Sequence, residues 1–272
     1  MPMSEALVVS RGNARLVGER WPGSGPTVVL LHAGVTDRRS WQAVAAGLDG
    51  RATVVSYDRR GFGETAPSST ESFSHVDDLL AVLDEVTEGP AWLVGSSAGG
   101  GVALDAAIAA PERVAGLVLF APAISGAPEP ELDPDTARFD RLLDKAIEAG
   151  DWDEQNRLEA WLWLDGPAQL EGRVEGPARS LLLDMNSVLL ANAVPEDAGA
   201  SCIDAWSQLH RVNTPATVVC GDLDVSFLVE RSRELADRLS KGRHRLLSGM
   251  AHLPQLENPA AAVGVIADAL AG

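Results

Sequence analysis

Short runs of apolar residues alternate with amphipathic segments along the first part of the chain. Four runs are apolar almost throughout, and runs of this length are typical of strands buried on both faces of a sheet. They cover residues 27–31, 53–57, 91–94 and 114–120. Before them, Gly12 lies in a turn sequence between the short apolar segments 7–9 and 16–17, which predicts a hairpin.

Between the predicted strands, apolar residues recur at the spacing of a helix. Asp37 and Ser74 each precede such a segment and can cap a helix at its N-terminus. A third helix, of very small residues, is expected from Ala98 to Ala110, where Pro111 ends it. Strands that alternate with helices imply right-handed crossovers and a mostly parallel sheet covered by helices.

The alternation stops near Ala121, where several prolines follow one another, and residues 135–208 show helical patterns without a convincing strand. It resumes with a strand at 216–220, a helix that Ser226 could cap, a strand at 243–247 and a last helix that begins at Asn258-Pro259. We therefore divide the chain into a core and a helical insertion. The core comprises residues 1–122 and 209–272, and the insertion comprises residues 123–208.

The charge balance narrows the range of partners. The chain carries 22 Lys and Arg against 39 Asp and Glu, a net charge of −17 at pH 7. Such a charge disfavours polyanions, so we expect neither nucleic acid nor a membrane as a partner. No apolar run reaches the roughly 18 residues that indicate a membrane-spanning helix. Because residues 1–10 do not resemble a secretory signal, we expect a cytoplasmic protein.

Cysteines and histidines give no sign of a metal site. Cys202 and Cys220 are too few for a disulfide framework, and Cys220 ends an apolar run, as a small buried residue would. The five histidines show none of the spacings of metal ligands. We therefore expect no metal and no cofactor.

The segment 95–99, with the sequence GSSAG, carries the clearest chemical signal. It lies between a predicted strand and a predicted helix. A serine there sits on a tight, strained turn that leaves no room for side chains two residues before and two residues after it. Only Ser97 has glycine at both positions; Ser96 does not. Ser97 is therefore the candidate nucleophile, although turns often contain the same residues.

A serine hydroxyl needs a base to become a nucleophile, and the base is usually oriented by an acid. His252 lies in a loop directly after the last predicted strand, whereas His244 lies inside that strand and His210 lies in or near the insertion. The best candidate base is His252. Asp222 and Asp224 follow the strand 216–220, and the spacing does not choose between them as the acid.

Two further loops follow strands. Gly34, after the strand 27–31, could supply a backbone N–H to an oxyanion hole, or could be a simple turn glycine. The loop 58–63, with the sequence DRRGFG, fits no phosphate-binding pattern. We interpret it as a structural turn that contains an internal Arg–Asp pair.

Taken together, these segments resemble the α/β-hydrolase superfamily over nearly the whole chain. Each segment is weak alone, but five in this order are specific. They are Leu30-Leu31-His32-Ala33-Gly34, Asp58-x-Arg60-Gly61-x-Gly63, Gly95-x-Ser97-x-Gly99-Gly100, Gly221-x-x-Asp224 and Gly249-x-x-His252. The resemblance implies an α/β-hydrolase fold in which the insertion is a helical cap over the active site.

The resemblance also implies roles for individual residues. It matches Asp224 to the acid, with Asp222 as the alternative, and it matches Gly34 and Ala98 to the two oxyanion donors. Family members often have His-Gly where this chain has His32-Ala33. The donor is usually the next residue, so this difference leaves the role of Gly34 intact. Members that act as dehalogenases or epoxide hydrolases have aspartate in place of the serine, so Ser97 argues against both activities.

We therefore expect a serine hydrolase that cleaves a small carboxylic ester or lactone through an acyl-enzyme. The segment 161–167 resembles the caps of proteins similar to 3-oxoadipate enol-lactonases. Trp161, Trp163 and Met185 could line an apolar pocket, or could hold the cap on the core. Carbon–carbon bond hydrolysis of a diketone, perhydrolysis or haloperoxidation, and a receptor without turnover are the alternatives. A homodimer is compatible with the sequence.

Overall fold

A computed structural model describes residues 4–67, 72–192 and 198–272. In these ranges a sheet of eight strands has the order β1-β2-β4-β3-β5-β6-β7-β8. β1 and β2 pair antiparallel, as do β2 and β4, and every other pair is parallel. The strands are β1 (Glu5–Arg11), β2 (Ala14–Trp21), β3 (Thr27–Leu31), β4 (Thr53–Tyr57), β5 (Ala91–Ser96), β6 (Val114–Phe120), β7 (Ala216–Gly221) and β8 (Gly242–Leu247).

Helices connect the strands and cover the sheet. The described helices are α1 (Gln42–Gly47), α2 (His75–Val86), α3 (Ala98–Ala109), α4 (Pro134–Ala149), α5 (Trp152–Ala160), α6 (Pro177–Asn192), α7 (Ala205–Gln208), α8 (Ser226–Arg238), α9 (Pro254–Glu257) and α10 (Pro259–Ala271). None of these helices is long and apolar enough to cross a membrane.

Local signals explain where several elements begin. Asp37 accepts a hydrogen bond from the N–H of Arg39 and caps a short 3₁₀ helix, Arg38–Trp41, that leads directly into α1. Ser74 accepts one from the N–H of Val76 at the start of α2, so both predicted caps are confirmed. The cap predicted at Ser226 is wrong. Val225 occupies the N-cap position of α8 without a side-chain bond, and the Ser226 hydroxyl instead donates to Asp133, 2.7 Å away.

The core lies in two layers, one on each face of the sheet. Leu93 of β5 belongs to the layer under α2, α3 and α8, and its neighbour Val94 belongs to the layer under α1 and α10. Val29 and Val28 of β3 divide in the same way. Because side chains alternate along a strand, a strand covered on both faces needs apolar residues at every position. This explains the continuous apolar runs in the sequence.

Between β6 and β7 the described residues form helices joined by turns and irregular segments, and no strand occurs among them. Leu182 and Met185 of α6 pack with Ala33, Leu253 and Leu256, which lie just beyond the carboxyl ends of β3 and β8. α6 therefore packs over the edge of the sheet where the candidate site lies. The domain boundaries at residues 123 and 208 stay a sequence-based prediction.

Candidate active site

All the candidate groups lie just beyond the carboxyl ends of parallel strands. Gly34 follows β3, Ser97 follows β5, Asp224 follows β7 and His252 follows β8. Crevices outside these strand ends are the usual ligand sites of parallel α/β sheets.

Ser97 occupies a strained turn between β5 and α3. Its φ of 51° and ψ of −117° are unusual for a residue with a side chain. A Cβ at Gly95 would come within 2.4 Å of the Gly99 carbonyl oxygen, and one at Gly99 would come within 2.4 Å of the Leu31 carbonyl oxygen. The turn therefore requires glycine at both positions. Ser97 is half-buried and precedes the first residue of α3.

His252 and Asp224 form a buried pair. His252 Nδ1 lies 2.8 Å from Asp224 Oδ2, and the two residues are 3% and 6% exposed. The other carboxylate oxygen, Oδ1, accepts the N–H of Val225 at 2.8 Å. This second bond fixes the plane of the carboxylate, so the carboxylate orients the imidazole ring.

The Cys220 thiol also contacts this carboxylate. Cys220 Sγ lies 3.6 Å from Asp224 Oδ2. Burial and the neighbouring Asp224 raise the pKa of the thiol, which keeps its proton and can donate it to the carboxylate. No signal in the sequence singled out this contact, since the expectation for Cys220 was only burial.

Asp222 has a different set of partners. It is exposed, and its carboxylate accepts the Ser248 hydroxyl at 2.9 Å and the Gly249 N–H at 2.6 Å. Asp222 thus braces the loop that leads to His252 without contacting the imidazole. Of the two candidate acids, Asp224 is the one beside the histidine.

The described residues include no hydrogen bond between Ser97 and His252. A link between their segments comes instead from Gln255 of α9, whose Nε2 donates to the Ser96 hydroxyl at 3.2 Å. Hydrogen bonds between catalytic groups are often long in a free enzyme and shorten when substrate binds. The Ser97 hydroxyl is therefore left available to a base or a substrate.

The candidate oxyanion donors are neighbours. A Cβ built on Gly34 would lie 4.0 Å from the Ala98 Cβ, and both residues are half-buried. The Gly34 N–H has no acceptor within the described chain. The Ala98 N–H belongs to the first residue of α3, where a helix leaves its N–H groups without internal partners. Two free N–H groups therefore flank the turn that carries Ser97.

Trp163 lies near His252, and Met185 lies near the loop 32–35 that contains the candidate donor Gly34, which we call the oxyanion loop. Trp161 lies elsewhere. The rings of Trp163 and His252 are 4.6 Å apart, and Met185 packs in the cluster that contains Ala33. Trp161 packs edge-on against Phe139 at 5.1 Å. Trp163 therefore contacts the candidate base, while the contacts of Trp161 belong to the packing among the inserted helices.

The loop 58–63 differs from its sequence interpretation, and the internal Arg–Asp pair is wrong. Asp58 pairs with Arg38, and Arg60 pairs with Asp78, with two contacts of 2.8 Å. Arg59 pairs with no carboxylate among the described residues and instead donates to backbone carbonyls of the oxyanion loop. Sequence reasoning missed this role because the two arginines are adjacent and chemically identical.

A half-buried ion pair connects the inserted region to the histidine loop. Glu257 of α9 pairs with Arg173 and accepts the N–H of Ala251 at 2.8 Å, immediately before His252. Arg173 also donates to the Gly249 carbonyl at 3.1 Å. Both sides of the histidine loop are therefore held by polar contacts. No group of three or more metal-ligating side chains occurs within the described ranges.

This fold and this arrangement of groups define a class of protein, and comparison with known families identifies it. The model of the alpha/beta hydrolase fold family matches residues 26–259, so the chain belongs to that family. The predicted fold class is confirmed.

The individual relatives and structural neighbours carry different functional names. The chain is 27% identical to a putative 2-succinyl-6-hydroxy-2,4-cyclohexadiene-1-carboxylate synthase of Bacillus subtilis, over 93% of each chain. It is 30% identical to the enzyme of that name from Salmonella schwarzengrund, over 92% of this chain and 95% of that one. Among solved structures, a hydrolase from Pseudomonas aeruginosa has a TM-score of 0.76 and 26% identity, and the match covers 99% and 98% of the two chains. The enol-lactonase from Burkholderia xenovorans, at 20% identity, shares the fold with a TM-score of 0.77 over 98% and 100% of the chains.

Proposed function

We propose that this protein hydrolyses a small carboxylic ester or lactone, with Ser97 as nucleophile, His252 as base and Asp224 as the orienting acid. The observation that supports this best is the buried 2.8 Å contact of His252 Nδ1 with Asp224, beyond the same sheet edge as a strained, half-buried serine. A strained serine, a histidine and a buried carboxylate that orients it are the parts that acyl transfer needs.

The reaction proceeds in two halves. His252 Nε2 takes the Ser97 proton as the hydroxyl oxygen attacks the ester carbonyl, and Asp224 stabilises the resulting imidazolium. The N–H groups of Gly34 and Ala98 bind the oxyanion of the tetrahedral intermediate. His252 then protonates the departing alcohol, leaving an acyl-enzyme. Water, activated by the same histidine, attacks the acyl group and restores Ser97.

The charges near the site favour a neutral substrate. Four arginines on the segments that surround it already pair with carboxylates, so their charges are largely compensated. The pairs are Arg38 with Asp58, Arg39 with Asp37, Arg173 with Glu257 and Arg179 with Asp165. Arg59 pairs with no described carboxylate, but it is 4% exposed and donates to backbone carbonyls, so it is not available to a substrate. The net charge of −17 further disfavours anions. An uncharged ester or lactone fits this environment better than a substrate that carries several carboxylates.

The synthase relatives motivate a second candidate. The compound in their name carries a succinyl group and a ring carboxylate, so a related activity here would need cations to bind it. The compensated arginines argue against that substrate. Carbon–carbon bond hydrolysis and perhydrolysis use the same triad and stay open as alternatives.

The test is an activity profile of the wild type and the Ser97→Ala variant. We expect the wild type to cleave short nitrophenyl esters or lactones, and the variant to lose cleavage while its melting temperature is unchanged. A fluorophosphonate probe should label the wild type only. Full activity in Ser97→Ala would refute the proposal. Wild-type activity on diketones alone would favour carbon–carbon hydrolysis, and labelling without turnover on any substrate would favour a receptor.

A further inference from the structure

Arg59 is a buried arginine without a carboxylate partner among the described residues. It is 4% exposed, and burial lowers the pKa of its guanidinium to about 10, so the group is charged at neutral pH. Its neighbour Arg60 is equally buried but forms a two-point ion pair with Asp78. Burying a cation is costly unless its hydrogen bonds are satisfied. The groups that Arg59 does bind therefore indicate its role.

Those groups are the carbonyls of the oxyanion loop. Arg59 Nη2 donates to the Ala33 oxygen at 3.1 Å and to the His32 oxygen at 3.4 Å. The Phe62 ring lies 4.5 Å from the guanidinium carbon and covers the cation. The guanidinium is therefore held against the backbone of the loop that precedes Gly34.

His32 supports the same carbonyl. Its Nε2 accepts the Arg59 backbone N–H at 3.1 Å, so its Nδ1 carries the proton and donates to the Ala33 oxygen at 2.8 Å. Burial, followed by the charge of Arg59, lowers the pKa of His32 well below its ordinary value, which keeps the ring neutral. The Ala33 oxygen thus accepts a bond from a cation and one from a neutral imidazole, besides a longer bond of 3.4 Å from the Thr36 N–H.

The Ala33 carbonyl and the Gly34 N–H belong to one peptide unit. A peptide bond is planar and trans, so its C=O and N–H point in opposite directions. Bonds that fix the Ala33 oxygen on one side therefore fix the Gly34 hydrogen on the other. We propose that Arg59 is a positioning residue of the oxyanion hole, which orients and polarises the Gly34 N–H through the Ala33 carbonyl. This inference rests on the proposed hydrolase function.

The physical effect is preorganisation. A hydrogen bond from a cation is stronger than a neutral one, and it polarises the peptide so that the N–H at its other end becomes a better donor. Oxyanion donors stabilise the transition state more than the bound substrate. A weakened Gly34 donor should therefore lower kcat and leave KM nearly unchanged. Removing a donor outright costs about 10²–10³-fold in turnover, and misaligning it should cost about 10- to 100-fold.

The adjacent arginines provide a matched test. We expect Arg59→Met to lower kcat about 100-fold and Arg59→Lys about 10-fold, because an ammonium can replace only part of the two-carbonyl contact. KM should change by less than about threefold. The inhibition constant of a trifluoromethyl ketone, which forms a tetrahedral oxyanion on the serine, should rise by about the factor by which kcat/KM falls. Arg60→Lys, the control, should lower the melting temperature while kcat stays within about twofold.

A second readout does not depend on turnover. Deuterium uptake of a peptide that spans residues 30–37 should accelerate in both Arg59 variants and stay at the wild-type rate in Arg60→Lys and in Ser97→Ala. Unchanged uptake in Arg59→Met, a kcat within twofold of the wild type, or an equal loss in Arg60→Lys would overturn the proposal. If Ser97→Ala kept full activity, the hydrolase function would fail, and the uptake comparison would still decide whether Arg59 holds this peptide.

Discussion

The two variants Asp224→Asn and Asp222→Asn distinguish the roles of two carboxylates that lie in the same loop. In Asp224→Asn, the side-chain oxygen should keep the bond from the Val225 N–H, which is 2.8 Å long in the native protein. The opposite orientation would set two buried N–H groups against each other, at a cost of about 1–3 kcal/mol. The amide nitrogen must then face His252 Nδ1.

The consequence for catalysis follows from the tautomer. A donating amide beside Nδ1 forces that nitrogen to accept, so the imidazole proton moves to Nε2, the atom that should take the proton of Ser97. The base is then blocked although the geometry is kept. The equivalent change in a serine protease lowers kcat about 10⁴-fold, or about 5.5 kcal/mol in activation free energy, and we expect a loss of this order.

Asp222→Asn should behave differently. Asp222 is exposed, and among the described residues its carboxylate accepts bonds from Ser248 and Gly249; an asparagine oxygen can still accept one of these bonds. Substitutions at exposed positions are usually worth about 0.5 kcal/mol or less, so turnover should stay within about threefold. Steady-state kinetics on a nitrophenyl ester, with thermal melts of both variants, measure the difference. A loss below tenfold in Asp224→Asn, or a larger loss in Asp222→Asn, would refute the reasoning.

Two further predictions concern buried polar groups. Cys220→Ala removes the thiol that donates to Asp224, so the carboxylate keeps more of its negative charge. The acidic limb of the pH profile of kcat/KM should therefore move up by about half a pH unit. Cys220→Ser keeps a donor and should not show this rise. An unchanged limb in the alanine variant would contradict this. Within the described residues, the Glu159 carboxylate of α5 accepts hydrogen bonds from Gln155 and Asn186, and burial raises its pKa. Glu159 therefore stabilises the fold most below about pH 4 and progressively less as the pH rises through its raised pKa. Wild-type melting temperature, relative to Glu159→Gln, should therefore fall as the pH rises above about 4; a constant difference would exclude the effect.

The fold was largely predictable because its signals are local. A strand covered on both faces needs apolar residues throughout, and Val28, Val29, Leu93 and Val94 meet this requirement by facing alternate layers. The turn at Ser97 was recognisable for the same reason, since the glycines that it requires lie within two residues.

The choice of acid and the role of Arg59 depend on distant segments. Asp222 and Asp224 differ in function because the loop before His252, nearly thirty residues along the chain, presents the imidazole to one and the backbone of Gly249 to the other. Arg59 and Arg60 diverge because the second meets Asp78 and the first meets the carbonyls after β3. The error at Ser226 has the same origin, since its hydroxyl donates to Asp133 across the fold.

Asp224 and Arg59, one at each end of the site, both stabilise the charges that develop during the proposed reaction. On the proposed mechanism, attack by Ser97 moves a proton towards His252 and negative charge towards Gly34. Asp224 lies behind the imidazole and stabilises the new positive charge, while Arg59 lies behind the Ala33–Gly34 peptide and supports the new negative charge. Because both groups are buried, water screens them little and they need no reorganisation during the reaction. Losing either group should therefore lower kcat without weakening substrate binding. The loss in Asp224→Asn should be larger, because that variant also holds His252 in the tautomer that cannot accept the serine proton.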